Sequence, residues 1–323
     1  MRNTLGKTIS QSKTMIQYDE NAKRVVANKN ILAEILAEST EEFRNVQKKE
    51  IIALIEGEPE ISRIPVNPGE TNNPLITGLS NESKIPYEGT VTFDVRFHIY
   101  TPDKKKRIKI IVDVEVQKTY NPGYDLVTRG ILYGARMLSE QVDTEFTIPN
   151  YNDIKKVYSI WICMNSPKYA ENTITSYNIQ QKDIIGCFPK GKSRYDLLTV
   201  VMIRLPKGIS QEEYRLHRLL STVFSPEMKY DEKKDIIEKE YDIPLEGDFE
   251  RSVNVMCNLS EAVWAEGMEK GMEKGMEKGM EKGQEKLAEL IRLLINSDRI
   301  DDVKLVTEDK NYREQLLKEY HLD

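Results

Sequence analysis

Along residues 21–38, NAKRVVANKNILAEILAE, the positions Val25, Ile31, Leu32, Ile35 and Leu36 recur at helical spacing and leave Glu34 and Glu38 off the stripe. This is the pattern of an amphipathic helix. Ser39, followed three residues later by Glu42, reads as a capping box that opens a second helix through EFRNVQKKEIIALIEG, with Gly57 ending it. From Ser62 to Gly89 the chain turns to Pro, Gly, Asn and Ser, a structured loop region in which Pro74–Leu79 is the only candidate strand.

Two segments of strict alternation follow. In VTFDVRFHIY, residues Val91, Phe93, Val95, Phe97 and Ile99 share one face and Thr92, Asp94, Arg96, His98 and Tyr100 the other. In RIKIIVDVEVQK, Ile108, Ile110, Val112, Val114 and Val116 oppose Lys109, Ile111, Asp113, Glu115 and Gln117. The intervening TPDKKK has the Pro and Asp of a tight connection, so the pair predicts an antiparallel hairpin. If Pro102 faces Arg107, counting back sets Asp94 opposite Glu115. A register slip of one would bury the charges, whereas slips of two keep both carboxylates on one face.

Residues 125–141 read as a helix with Ile131, Ala135 and Leu138 toward the core and Arg129, Tyr133, Arg136 and Glu140 on the opposite stripe. VYSIWICM (157–164) and DLLTVVMIRL (196–205) are short β-branched apolar runs, as in buried strands. The strand, helix, strand step suits parallel neighbours. The expected fold is therefore α/β, a three-layer core in the order α-β-β-β-α-β-β over residues 1–210. A helical extension over 211–262 follows, then a helical tail over 263–323. In the tail GMEK repeats four times from Gly267 and GQEK closes the run at Lys286. Its glycines cost an isolated helix about 1 kcal/mol each, so the segment is either a spacer or a self-associating helix with a Met stripe, through which the chain would form a homo-oligomer. Leu287, Leu290, Ile291 and Leu294 begin a small helical cap.

Composition adds few constraints. The 323 residues are 39% hydrophobic and 31% charged, which fits a globular chain. The opening MRNTLGKTISQSKTMIQYDE lacks an apolar signal region and no stretch is long and apolar enough to span a bilayer, so the expectation is a cytoplasmic protein with no membrane contact. Cys163, Cys187 and Cys257 have no zinc-type spacing and read as free thiols. A net charge of −6 means that any contact with DNA must use local patches, such as Lys104, Lys105, Lys106, Arg107 and Lys109.

Asp94 and Glu115 carry the candidate chemistry. Two carboxylates held close repel unless a proton or a cation lies between them. Mg²⁺ suits such a pair, because it takes oxygen ligands and binds through one or two carboxylates, waters and a substrate phosphate; Mn²⁺ would substitute. The pattern alone also fits two solvent-facing acids on polar-out strands. The segment FDVRFHIYTPDKKKRIKIIVDVEVQK resembles the Asp, loop, Glu-x-Lys hairpin of the PD-(D/E)XK nucleases. With ILAEILAESTEEF, RGILYGARMLSEQ, SIWICMNSP, MCNLSEAV and the Gly-repeat tail, nearly the whole chain is similar to the recombination-promoting nucleases and transposases of that family.

The resemblance implies a restriction-endonuclease-like fold and Mg²⁺-dependent hydrolysis of DNA phosphodiesters, tied to recombination or mobile elements. It further implies Asp94 and Glu115 as metal ligands and catalytic residues, with Gln117 at the position of the family's lysine. There it follows a Glu-x-Gln variant, and Lys118 points to the other face. One of Glu34, Glu38 or Glu42 would add an acid from the first helix. Arg129, Tyr133 and Arg136 either contact nucleic acid near the site or form a solvated helix face. Asp113 is a reserve ligand, solvated or paired with Lys109 in the bland reading. The rivals are a catalytically decayed fold that binds DNA or assembles through its tail, and an RNA nuclease. GCFPKGKS (186–193) matches the phosphate-loop pattern letter for letter, but it leads toward a strand where that motif needs a helix. His98 lies too far along its strand from Asp94 to act as a base.

Overall fold

The computed structural model describes residues 16–61, 82–85, 89–103, 107–189 and 191–322. It divides into two units, one ending at Glu261 and the other beginning at Ala262.

The first helix of the sequence reading is two. Residues 16–26 form α1, and Lys29–Ser39 form α2, which opens where the Asn28 side chain accepts from the Asn30 N–H at 2.9 Å. The capping box does not form: Ser39 Oγ instead donates back to the Ile35 carbonyl, and residues 41–46 make turns. Helix α3 is short, Lys48–Leu54, and the chain goes directly into strand β1, Ile55–Ile61, whose first residues, Ile55 and Glu56, the sequence pattern placed in the helix that Gly57 would end. Gly57 there has φ +61, and β1 is held by antiparallel pairing with β4. Long-range pairing has overridden local helical spacing. Pro74–Leu79 lies outside the described residues.

Strands β2 (Glu82–Ile85) and β3 (Gly89–Thr92) form a separate two-stranded sheet. The hairpin that follows, β4 (Val95–Tyr100) and β5 (Lys109–Gln117), has the counted register: Val95 lies opposite Val114 and Tyr100 opposite Lys109. Past β5, α4 (Leu126–Ser139) crosses to β6 (Lys156–Cys163), which pairs parallel to β5. The sequence reading omitted edge strand β7 (Thr173–Asn178); β8 (Leu198–Arg204) lies between it and β6. The result is an α/β fold around a six-stranded mixed sheet in the order β1-β4-β5-β6-β8-β7.

Each face of this sheet has a core. On one, Val95, Phe97, Ile99, Val112, Val114, Ile160 and Val201 pack with Ile31, Leu32, Ile35 and Leu36 of α2. The same core takes in α5 (Arg215–Phe224), α6 (Tyr230–Tyr241) and the start of α7 (Gly247–Asn296) through Leu219, Ile237 and Val253. Residues 211–261 thus lie within the first unit. On the other face Ile111, Trp161, Val200 and Met202 pack under α4.

That packing reverses the predicted face of α4. Tyr133, Arg136 and Met137 are buried, while Ile131 and Leu132 are exposed. Gly130 and Gly134 decide it: a Cβ at Gly130 would stand 2.6 Å from Val200 Cγ1, so the glycine stripe is what lets the helix approach the sheet.

In the second unit, the last turns of α7, α8 (Ile300–Glu308) and α9 (Lys310–Glu319) close on Leu290, Leu294, Val306 and Leu316. The GMEK repeat is helical throughout, and Met276 of its stripe is exposed. Among the described residues no helix is long and apolar enough to cross a membrane.

Candidate active site

The alternation read through VTFDVRFHIY breaks at Asp94. Phe93 enters the α4-side core and Val95 the opposite core, so these neighbours do not share a face as the pattern suggested. The break leaves the Asp94 main chain out of the regular ladder, and side chains take its place. The Asp94 N–H donates to Glu115 Oε1 at 2.9 Å, and Asp94 Oδ2 accepts from the Val116 N–H at 3.0 Å. Each carboxylate is thereby tied to the other's strand.

Asp113, two residues before Glu115, is fully buried beside Ser159 and Glu115, and neither of its oxygens makes a well-formed hydrogen bond. Lys109, its suggested partner, pairs with Glu145 at 3.2 Å instead. An ionised carboxylate without partners in such a place is costly. Burial raises the pKa of Asp113 well above the ordinary carboxylate value, with the Asp94 charge adding to it and Arg96 opposing. Glu115 is raised well above the ordinary range by burial, then by Asp113 and Asp94. Asp94 is raised by burial, against which Lys23 pulls it down. The cluster holds three acids that cannot all ionise without added positive charge.

Two cations stand inside it. Lys23 of α1 is buried, with Nζ 2.9 Å from Asp94 Oδ1 and 2.9 Å from Asp19 Oδ2. Burial pulls down the pKa of its ammonium, but Asp94 and Asp19 outweigh that and hold it above the usual lysine value. Arg96, buried, pairs with Glu140 and lies 4.8 Å from the Phe93 ring centre. Burial pushes its guanidinium down to about 10, opposed by Asp113, Glu60 and Glu145. Sequence reasoning missed both Lys23 and Asp19. Their signal was an i, i+4 Asp-Lys pair on a helix whose Ala22, Val25 and Val26 face the core.

The other sequence candidates separate. Gln117 ends β5 partly exposed, its Nε2 donating to the Thr119 carbonyl at 2.8 Å. Lys118 turns to the α1 side, 5.1 Å over the Tyr18 ring. Arg129 is partly exposed, bonded to the Tyr124 and Tyr133 hydroxyls at 2.7 Å each, and lies within electrostatic reach of Glu115. Tyr133 is wedged edge-on between Phe93 and Trp161, and Arg136 is buried, so neither offers the exposed nucleic-acid contact read from the sequence; the close glycine packing of α4 has turned them inward. Lys104, Lys105 and Lys106 lie outside the described residues.

The acids of the first predicted helix point elsewhere. Glu34 neighbours Lys48 at 3.5 Å and Arg215 at 3.6 Å, Glu38 is exposed, and Glu42 takes Lys156 and the Tyr158 hydroxyl. The helical acid within electrostatic range of Asp94 is Asp19. His98 contacts Glu56 and Glu145, away from the carboxylates. The phosphate-loop match ends in a single turn, Lys192–Arg194, ahead of β8, which is the strand-bound context expected for a chance match. All three cysteines are free.

Comparison with family models, with curated proteins and with solved structures finds no match for this chain. Its function must be argued from the site.

Among the described residues, the acids included, no group of three or more His, Cys, Asp or Glu side chains is arranged to hold a metal ion. A Mg²⁺ that keeps several waters and a substrate phosphate needs only two carboxylates. Asp94 and Glu115 are two carboxylates on adjacent strands, joined by the Asp94 N–H to Glu115 Oε1 bond, and Asp113 lies beside them without a well-formed hydrogen bond.

Proposed function

We propose that the chain is a metal-dependent nuclease that hydrolyses DNA phosphodiester bonds, with Asp94 and Glu115 holding the metal. One observation carries the reading: three adjacent buried acids, two of them cross-bonded across a strand pair, whose protonation is driven upward by burial and mutual repulsion. Groups perturbed in this way mark functional sites, because a structural role does not need several like charges packed together.

The order of elements supports it. A restriction-endonuclease-like core would draw on helix α2, strands β1, β4 and β5, crossover α4 and strand β6, with α3 and the β2–β3 sheet as additions and the carboxylates at the β4–β5 pair. The resemblance to the recombination-promoting nucleases points the same way.

In this reading Asp94 and Glu115 would hold Mg²⁺ with one carboxylate each, their geometry fixed by each other's strands, and the metal would supply an activated water and charge compensation at the scissile phosphate. Arg129, aimed by two tyrosine hydroxyls, grips a neighbouring phosphate through its planar fork. Asp113 stays protonated or shares a proton with Glu115, limiting the negative charge in the cluster.

A second reading, a decayed nuclease fold that binds DNA without cutting it, has one observation in its favour: Gln117 offers no positive charge and its amide is turned to Thr119. Purified Asp94→Ala and Glu115→Ala variants, each checked for folding by circular dichroism and compared with the unmodified chain on supercoiled plasmid in Mg²⁺, separate the two. Loss of nicking in both folded variants supports catalysis; nicking at the unmodified rate in either removes the proposed site.

A further inference from the structure

Metal-assisted hydrolysis at two carboxylates benefits from a fixed positive charge beside the phosphate, because negative charge builds there in the transition state. The strand position that would carry it holds Gln117, and its amide is committed to the main chain at Thr119. Of the cations near the acids, Arg96 is buried and paired with Glu140, and Arg129 is braced by Tyr124 and Tyr133. Lys23 differs from both. It comes from α1, a different element, and its ammonium touches Asp94 Oδ1 at 2.9 Å, on the carboxylate whose own N–H is bonded to Glu115. Asp19, one helical turn back, holds the same ammonium at 2.9 Å and is itself partly open to solvent.

We propose that Lys23 supplies the fixed cation of this active site, doing from α1 what Gln117 cannot do from β5; the proposal rests on the nuclease reading above. Two partners make the arrangement serviceable. Asp94 can turn an oxygen to a divalent cation while Asp19 keeps the ammonium at the site, where it faces the phosphate being attacked. The lysine stem has the reach and freedom for that change, which a braced arginine lacks. In the hydrolysis a water oxygen bonds to phosphorus and the P–O bond to one sugar breaks. The water gives up its proton to solvent and the departing alkoxide takes one from solvent. Lys23 keeps its own proton throughout and balances the negative charge added on the phosphoryl oxygens.

A lysine that merely neutralised Asp94 would behave differently on removal: metal binding would tighten in either case, but cleavage would persist. The test uses the full chain on supercoiled plasmid with saturating Mg²⁺. It compares Lys23→Gln, Lys23→Met (which keeps the apolar stem of this buried side chain) and Lys23→Arg, together with Gln117→Lys placed in the Lys23→Met background. Turnover should fall about 100-fold in the uncharged variants, the scale of a lost transition-state donor, while KM for plasmid moves by less than about threefold. Lys23→Arg should retain part of the rate, and Gln117→Lys should recover at least about tenfold of it.

Mn²⁺ binding, followed by calorimetry without DNA, provides a readout independent of turnover: both uncharged variants should bind Mn²⁺ more tightly than the unmodified chain, because a competing ammonium has gone. Turnover in a folded uncharged variant within about threefold of the unmodified chain overturns the proposal, as does unchanged Mn²⁺ affinity. If the unmodified chain shows no Mg²⁺-dependent cleavage, the nuclease reading itself fails. If it cleaves and the uncharged variants cleave equally, only the role of Lys23 fails.

Discussion

Gly130→Ala is a one-carbon change whose outcome follows from where α4 lies. In an exposed helix it would stabilise by about 1 kcal/mol through backbone entropy. Here the new Cβ meets Val200 Cγ1 at 2.6 Å, Trp161 Nε1 at 3.0 Å and Met202 Cε at 3.3 Å. The methionine tip can move. The valine cannot, because its γ-carbon is fixed to a fully buried, β-branched side chain on β8. Trp161 is held by its hydrogen bond to Ser159 Oγ at 2.9 Å. The helix itself must therefore lift, at an overpacking cost in the upper part of the usual range, about 2–3 kcal/mol. Set against the propensity gain, the expected net loss is about 1 to 2 kcal/mol, read as a lower urea midpoint with unchanged slope. Lifting α4 also draws Arg129 and Tyr133 away from Glu115, so cleavage should fall in the same variant. Gly134→Ala, whose Cβ meets the branched end of Leu198 at 3.0 Å, should lose less, since a leucine tip can rotate. A Gly130→Ala chain as stable as the unmodified one would show that α4 does not rest on the sheet through its glycines.

The raised acids make stability depend on pH in a definite direction. A carboxyl whose pKa is higher folded than unfolded binds its proton more readily in the native state, so in EDTA the stability these groups contribute should be fully present below the unfolded carboxylate value of about 4 and be lost as pH rises from there toward the raised values. Asp113→Asn should reduce that slope in a differential scanning series, and a slope unchanged in the variant would refute the assignment. Mg²⁺ at about a hundredfold excess over its Kd should restore about 2.7 kcal/mol at pH 8, a rise on the order of 5–10 °C, and none in Glu115→Gln; equal rises in both would place the metal elsewhere. Gln117→Ala should impair plasmid cleavage less than Glu115→Ala at equal metal occupancy, because an amide turned to Thr119 is neither ligand nor charge; equal loss would give the amide an essential role.

The parts of the fold readable in the sequence were those where one period ran uninterrupted. The β4–β5 register followed from Pro102 facing Arg107, and the parallel β5–β6 step from a helix between two strand-like runs. Where two signals competed, tertiary contact decided. Ile55 and Glu56 continue a helical pattern yet pair with β4, and the face of α4 was set by Gly130 and Gly134, not by its Ile and Leu. The site divided in the same way. Asp94 and Glu115 come together as counted, although by way of a break in the strand that alternation does not reveal. Asp113 looked solvated because a polar face was assumed open, and α4 covers it. Lys23 and Asp19 reach the site across some seventy residues of sequence, a proximity no local pattern encodes.

The most direct test of the central claim is a single measurement: conversion of supercoiled plasmid to nicked and linear forms by the purified full chain in Mg²⁺, against EDTA, with Glu115→Ala in parallel. Cleavage is expected to require the metal and to disappear in the folded variant. Cleavage that survives in EDTA or in Glu115→Ala, or its absence from the unmodified chain in both Mg²⁺ and Mn²⁺, would contradict it.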